Sequence, residues 1–384
     1  SVSLTSAGSI TQAGGGVLAR RAADGGADAT TDLPLTVAVT GNNHAVALVG
    51  NNGRLRELGA STEDGNLTLR SRGMTIASAV TADANGSARS DVTLGVTTGD
   101  LAINGAITAR NAFFNVAGAV TQTVALDLTG RLRVRGVGGA ADTSAASINL
   151  TLDNALAELD ARATGALAVT MAGAATVTQA RGASIALTGG ALTVSASGSG
   201  ITGTGATDVS IVADSLTAPG TVTAPDGRTL SLRVDALDLA GGTVSAGATG
   251  TVEIGPRTDG HAVQVGTAGD PAATLELAPA DLAAITAGTL RLGRTTIGSD
   301  TITANGLSVV EALATTANLT LLSAGGINVQ AALTGPTLRL EAAVVAILLG
   351  AVPLTANGAS ASITLLTPGA ITQDSGGALV APDG

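Results

Sequence analysis

Apolar residues alternate with Thr, Ser, Asn, Arg or Glu in short runs along the whole chain. The runs are "NLTLRS" (66–71), "DVTLGV" (91–96), "SINLTLD" (147–153), "SIALTGG" (184–190), "VSIVAD" (209–214) and "LSLRVD" (230–235). They continue with "TVEIG" (251–255), "TLELA" (274–278), "TLRLG" (289–293), "NLTLLSAGG" (318–326), "TLRLE" (337–341) and "SITLL" (362–366). A period of two puts every second side chain on one face, the pattern of a half-buried strand. Gly, Asp-Gly, Asn-Gly or Pro stops each run within a few residues. From position 209 onward, successive runs start 21, 21, 23, 15, 29, 19 and 25 residues apart. That longer period fits one turn of a parallel β-helix, whose coils bury their apolar face only by stacking on neighbours. Roughly 17 coils of about 22 residues, stacked about 4.8 Å apart, predict a rod of about 80 Å. Parallel crossovers are overwhelmingly right-handed, so the expected fold is all-β, a right-handed parallel β-helix (solenoid) over 1–384 as a single continuous domain. Leu319, Leu321, Leu338 and Leu340 should point inward, and Thr320 and Arg339 outward.

Two segments carry weak helical signals. "PADLAAITAG" (279–288) has Pro and Asp at a plausible helix start and Gly at its end, and "NALAELDARA" (154–163) has helix formers at suitable spacing. Either is a short helical excursion or a loop on a corner. "ARRAADGGADATTD" (19–32) and "RGVGGAADTSA" (135–145) read as loops leaving the coils. The longest apolar run, "AAVVAILLGAVPL" (342–354), is too short for a membrane helix and reads as a doubly buried strand and corner.

The chain opens and closes on related phrases. "SVSLTSAGSITQAGGGVLAR" (1–20) and "SITLLTPGAITQDSGGALVA" (362–381) align without a gap, with Ser1, Leu4, Gly8, Ile10, Thr11, Gln12, Gly15, Gly16 and Leu18 meeting identical residues. "GSITQ" (8–12), "GAVTQ" (118–122) and "GAITQ" (369–373) repeat one corner, with "ATVTQ" (175–179) close to it. Four of the six Gln occupy this slot. Two arrangements suit that amide: turned inward and bonded to the backbone of the next turn, or turned outward where the strand ends. If both terminal segments carry the same coil, they form an end-to-end interface through Ser1, Leu4, Ile10, Gln12 and Leu18 on one side. Ile363, Leu365, Ile371, Gln373 and Leu379 form the other. The partners expected there are copies of the same chain or further coils of it, head to tail. Ser1 stands where a Met would, so the chain is expected to be a mature product or a fragment that has lost its targeting segment.

"GAITQ", "LSAGGINVQAALTG" (322–335) and "AAITAGTLRLGRTTIGSDTITANG" (283–306) resemble the repeats of filamentous haemagglutinin-like exoproteins. These are large secreted β-helix proteins of Gram-negative bacteria, exported by two-partner secretion or as autotransporters. The resemblance is clearest at 1–20, 66–130 and 250–384. It implies an extracellular, cell-surface protein acting as a structural or adhesive rod, with a host-cell, matrix or carbohydrate ligand that it does not name. The family's Asn-Pro-Asn turns are missing from this chain.

Composition narrows the chemistry. Phe113 and Phe114 are the only aromatic residues, all 19 basic residues are Arg, and Cys is absent. A net charge of −10 with so few aromatics argues against nucleic-acid binding and against an anionic membrane surface. Without Cys there is no disulfide, thiolate metal site or cysteine nucleophile. His44 and His261 stand apart among Asn, Ala and Val and read as solvent-facing loop residues. Neither metal nor cofactor is expected, and no catalytic residue is assigned.

The leading alternative is a polysaccharide lyase or glycosidase on a β-helix scaffold. It would need paired carboxyls about 5–9 Å apart, and the candidates are Glu63 with Asp64, Glu158 with Asp160, and Asp235 with Asp238. Against it, 22 of the 29 acids are Asp, many beside Gly or Pro where Asp shapes turns. "DGGADATTD" (24–32) and "GVGGAADTS" (136–144) only brush the calcium-binding nonapeptide pattern. Thr-x-Thr segments such as "TVT" (221–223) and "TIT" (301–303) leave an ice-binding solenoid as a minor alternative. Consecutive Phe in "NAFFNV" (111–116) must point to opposite faces of a strand, one into the core and one out.

Overall fold

The computed structural model describes residues 1–12, 16–18, 20–21, 27–28, 33–50, 52–83, 90–137, 143–267, 273–297 and 300–381. It is 59% strand and 1% helix, with parallel stacked coils making a β-solenoid of about 16 turns. Each of the twelve alternating runs contains a strand or part of one. The chain divides into two compact units, Ser1–Ala183 and Ser184–Gly384.

In the first unit, three parallel ladders run from coil to coil. One carries Leu4, Val37, Ala60, Val80, Ile107 and Leu126 in register. A second carries Ile10, Val46, Leu67, Val92, Ala112, Leu132, Leu159 and Val177. The third carries Leu33, Leu55, Met74, Leu101, Val120, Ile148 and Leu167. Stacking like on like lets each apolar side chain cover the next, and the interior members of these rows are buried almost completely. Phe114 is fully buried and is the largest side chain in this core. Corners hold small polar residues that close on the turn itself. Thr62 Oγ1 donates to the Gly65 carbonyl at 2.5 Å and Ser71 Oγ to the Gly73 carbonyl at 2.7 Å. Gly65 is dictated by packing, because a Cβ there would lie 1.9 Å from the His44 carbonyl oxygen.

The second unit repeats the scheme. Ile185, Val209, Leu230, Val252, Leu290, Leu319, Leu338 and Ile363 form one inward row. Ile201, Val222, Val244 and Ile285 form another, and Leu313, Leu333, Leu354 and Leu379 a third. A fourth runs Leu275, Val263, Leu307, Ile327, Ile347 and Ile371. Leu319, Leu321, Leu338 and Leu340 are at most 1% exposed, Thr320 is half-buried and Arg339 exposed, so the expected register holds. At Gly200, φ is +64° and a Cβ would meet the Thr221 carbonyl oxygen at 2.1 Å, so only glycine serves this corner.

The excursions are few. Pro279–Ala283 is a helical turn with Pro in its first turn and Leu282 tucked into the core, as its end signals suggest. "NALAELDARA" is corrected: Glu158–Arg162 is a strand, because Leu159 and Ala161 fill inward slots beside Leu132 and Val134 and the ladder outweighs helix propensity. "AAVVAILLGAVPL" is corrected as well. It supplies strands Ile347–Leu349 and Pro353–Ala356, but Val344, Val345 and Leu348 are 70%, 52% and 45% exposed. Its corner turns outward and only alternate strand residues face the core. Arg294–Ile297 and Asp300–Thr303 form an antiparallel hairpin beside the ladders. Within the expected loop at 19–32, Arg20–Arg21 pairs antiparallel with Ala27–Asp28. The rest of that loop, residues 138–142 of the second one, and with them most of the two calcium-like segments, lie outside the described residues.

Candidate functional site

Three places concentrate polar chemistry or exposed apolar surface. The first is the Gln corner. Gln122 Nε2 donates to the Val124 carbonyl at 3.0 Å and to Asn154 Oδ1 at 3.0 Å, while Asn154 Nδ2 donates back to Gln122 Oε1 at 3.1 Å. Gln12 and Asn52 repeat the pair: Gln12 Nε2 donates to Asn52 Oδ1 at 2.8 Å, and Gln12 Oε1 accepts from the Gly50 amide at 2.8 Å. Asn52 and Asn154 are 1% and 0% exposed, so each inward Gln meets a buried amide from a neighbouring coil as well as turn backbone. Gln179 fits neither arrangement: it lies mid-strand opposite Asp160 and only 6% exposed, its Oε1 accepting from Arg135 Nη1 at 2.8 Å and Arg162 Nε at 2.5 Å. Gln373 is exposed. The partner asparagines carry no local signal, since neither sits in a repeat of its own.

The second place is the pair of terminal coils. Leu4 pairs with Val37 and Ile10 with Val46, Ser1 is exposed, and the Leu18 amide donates to Asn52 Oδ1 at 2.9 Å. In the other unit, Ile363, Leu365, Ile371, Gln373 and Leu379 pair with Leu338, Leu340, Ile347, Leu349 and Leu354. Among the described residues, the strands at 362–380 are laddered on one side only. Ile371 and Leu379 are therefore 48% and 47% exposed, while Ile347 and Leu354, their equivalents one coil earlier, are fully buried.

The third place is an arginine face on the first unit. Strands Arg131–Arg135, Glu158–Arg162 and Ala175–Gly182 are adjacent rungs, and their outward side chains include five arginines and two acids. Arg131 pairs with Glu158 at 2.7 Å, and Arg135 with Asp160 at 2.5 Å. Arg162 lies directly across from Arg181, and Arg135 follows the Val134–Ala161 pair beside Arg162. Burial lowers the Arg135 pKa, Asp160 works against that, and the charges of Arg162 and Arg133 lower it further. Phe113, the outward member of the Phe pair, lies under the Arg133 guanidinium, 4.8 Å from its ring centroid. Phe113, Asn111, Gly130, Arg131, Ala157 and Glu158 line a surface cavity of about 290 Å³. Arg133 Nε is shielded from solvent without a hydrogen-bond partner. The signal for this face is in "RLRVR" (131–135), where every outward position is Arg.

The remaining candidates are structural. Asp64 caps the Asn43 amide, and Asp238 Oδ1 accepts from the Ala240 amide at 2.8 Å. Asp235 Oδ1 accepts from the Arg257 and Thr258 amides, each at 2.9 Å, so these acids shape turns, and Glu158 and Asp160 are held by arginines. The histidines are corrected. His261 is 23% exposed with Nδ1 3.4 Å from Asp235, and His44 is half-buried near Ser9, because stacked corners cover one another. Thr202, Thr223, Ser245 and Thr286 do align across four rungs, whereas Thr301 and Thr303 belong to the side hairpin. That hairpin is fastened over the sheet by Glu253, which is 2% exposed. Its carboxylate accepts from Ser231 Oγ at 2.9 Å and the Thr296 amide at 2.8 Å, and pairs with Arg291. Arg233 donates to Thr295 Oγ1 at 3.1 Å and pairs with Asp300 at 2.5 Å. Among the described residues no three His, Asp or Glu side chains converge as metal ligands, and no helix is long and apolar enough to cross a membrane. Compared with known proteins, the chain matches no protein family, no curated protein and no solved structure.

Proposed function

We propose that the chain is a non-enzymatic structural and adhesive β-helix, a segment of the shaft of a filamentous haemagglutinin-like surface protein. The observation that supports this most directly is the coil at 362–380. Its inward residues Ile371 and Leu379 stand half exposed, where the same residues one rung earlier are sealed. An open strand edge over apolar side chains invites another coil, from the same chain or from a second copy. Such a contact joins unlike surfaces, so it propagates into a filament rather than closing a dimer. The terminal repeats around "GSITQ" and "GAITQ" give the two edges matching sequences. Surface location and export by two-partner secretion or as an autotransporter follow from the repeat resemblance.

Sedimentation velocity and electron microscopy of the 384-residue chain test this reading. Head-to-tail oligomers that grow with concentration are expected, and Leu379→Glu with Ile371→Glu should leave dispersed particles with unchanged β circular dichroism. A wild-type chain that stays monomeric at high concentration overturns the stacking.

A further inference from the structure

We infer that the arginine face of the first unit is a binding site for a linear carboxylated polysaccharide, a polyuronate, lying along the stack of coils. This rests on the reading of the chain as an adhesive solenoid and names the ligand that reading lacks.

Three observations carry it. First, the charge is local. Strands 131–135, 158–162 and 175–182 hold five arginines and two acids, in a chain whose net charge is −10. Second, the charges are stacked in register. Arg135, Arg162 and Arg181 occupy successive rungs about 4.8 Å apart, an arrangement that repels itself when nothing negative lies over it. Asp160 pairs with Arg135, Gln179 Oε1 accepts from both Arg135 and Arg162, and Arg181 projects into solvent. A polymer with one carboxylate per repeat supplies counter-charge rung after rung, whereas a single small anion serves only one. Guanidinium favours this partner because its planar fork binds a carboxylate through two parallel hydrogen bonds. Third, the face carries a sugar-ring platform. Phe113 is the one aromatic ring on an outer surface, it forms a wall of the 290 Å³ cavity, and Arg133 over it keeps an unpartnered Nε. The apolar C–H groups of a pyranose suit the part of the ring that lines the cavity, and Asn115, half-buried beside it, offers an amide to hydroxyl groups. A nucleic acid would want several stacking aromatics, and here there is one.

The test uses the full chain with polygalacturonate as the probe, measured by calorimetry at about 0.05 M and about 0.5 M salt. Neutral dextran, dextran sulfate and single-stranded DNA run in parallel. Binding to polygalacturonate that weakens strongly with salt is expected, with dextran inert and the sulfate and DNA arms weaker. Arg162→Gln with Arg181→Gln should weaken binding about tenfold or more, and Phe113→Ala several-fold, while Arg339→Gln on the other unit changes nothing. Removing like charges should leave the melting temperature of the ligand-free protein unchanged or raised. Because both side chains point outward, circular dichroism checks that the fold is kept, and Arg181→Gln alone gives a partial loss if the double variant misfolds. Equal binding by wild type and both Arg variants overturns the site. DNA or dextran sulfate bound as tightly as polygalacturonate overturns the ligand class. Release of unsaturated or reducing fragments from the polymer would instead overturn the non-enzymatic reading while leaving the binding face intact, and loss of head-to-tail oligomers without loss of binding touches only the stacking.

Discussion

The two units build the same coils from the same inward residues and dress them differently. Residues 1–183 hold thirteen arginines against fourteen acids, and residues 184–384 hold six against fifteen, net −1 and −9. Polar groups that are buried also differ. The first unit uses neutral amides, Gln12 with Asn52 and Gln122 with Asn154, to stitch one coil to another. The second buries a carboxylate, Glu253, and uses it to fasten a hairpin across the outer face of the sheet. Inward rows therefore specify the fold, and exposed outward positions are free to vary in charge without disturbing it.

That separation is best challenged at the core, where the largest effects belong. Leu94→Ala in the first unit and Leu340→Ala in the second should each cost about 2–5 kcal/mol by urea denaturation. Thr320→Ala and Arg339→Gln should stay within about 0.5 kcal/mol. Costs that favoured the outward positions would mean a register wrong by one residue. Glu253→Ala should come next, at about 3 kcal/mol, because Arg291 and the Thr296 amide lose their shared acceptor. Faster amide exchange confined to the hairpin strands would identify the latch as the cause. Asn154→Ala should cost about 1–3 kcal/mol, since it strips partners from Gln122, the Leu126 amide and the Leu150 and Thr170 carbonyls together. If Asn154→Ala proved harmless, the amide stitch would be decoration and the two units would differ less than their polar groups suggest.

The smallest effects are pH-dependent and have opposite signs within the second unit. Burial raises the Asp281 pKa, a backbone hydrogen bond from Leu239 opposes it, and nearby Asp238 raises it again. A raised folded value favours the folded state below the ordinary carboxylate range, and the advantage disappears as pH rises through the raised value. Asp226 is held low by the Thr249 amide and hydroxyl, so its contribution is present above the ordinary range and is lost as pH falls through its lowered value. Melting curves between pH 3 and 7 should therefore show Asp281→Asn gaining on wild type as pH rises and Asp226→Asn gaining as pH falls. Parallel curves for both variants would remove these two residues as the source.

The strand positions and their inward faces were legible because alternation and Gly-rich corners state them residue by residue. "NALAELDARA" misled because its composition suits a helix, while the deciding partners of Leu159, Leu132 and Val177, lie 27 residues before it and 18 after it. The arginine face was half legible. "RLRVR" announces an outward Arg row, but only the ladder sets Arg162 against Arg181 and brings Gln179 beneath both Arg135 and Arg162. The half-burial of His261 beside Asp235 could not be read, because it arises where separate corners stack.

The ladders also dictate how the chain reaches this structure. Most rungs join residues about twenty positions apart, such as Val209 to Leu230 or Leu319 to Leu338, so an all-β protein here needs only short loops to be closed. Each coil finds a finished template in the one before it, and growth can advance along the chain as fast as sequence becomes available. The longest step in the row that starts at Ile185 is from Val252 to Leu290, which must pass the Val263–Leu275 pair and the helical turn before the row resumes. A pause is expected there during refolding, and a chain released before residue 290 should stop with its last complete rung at 251–255.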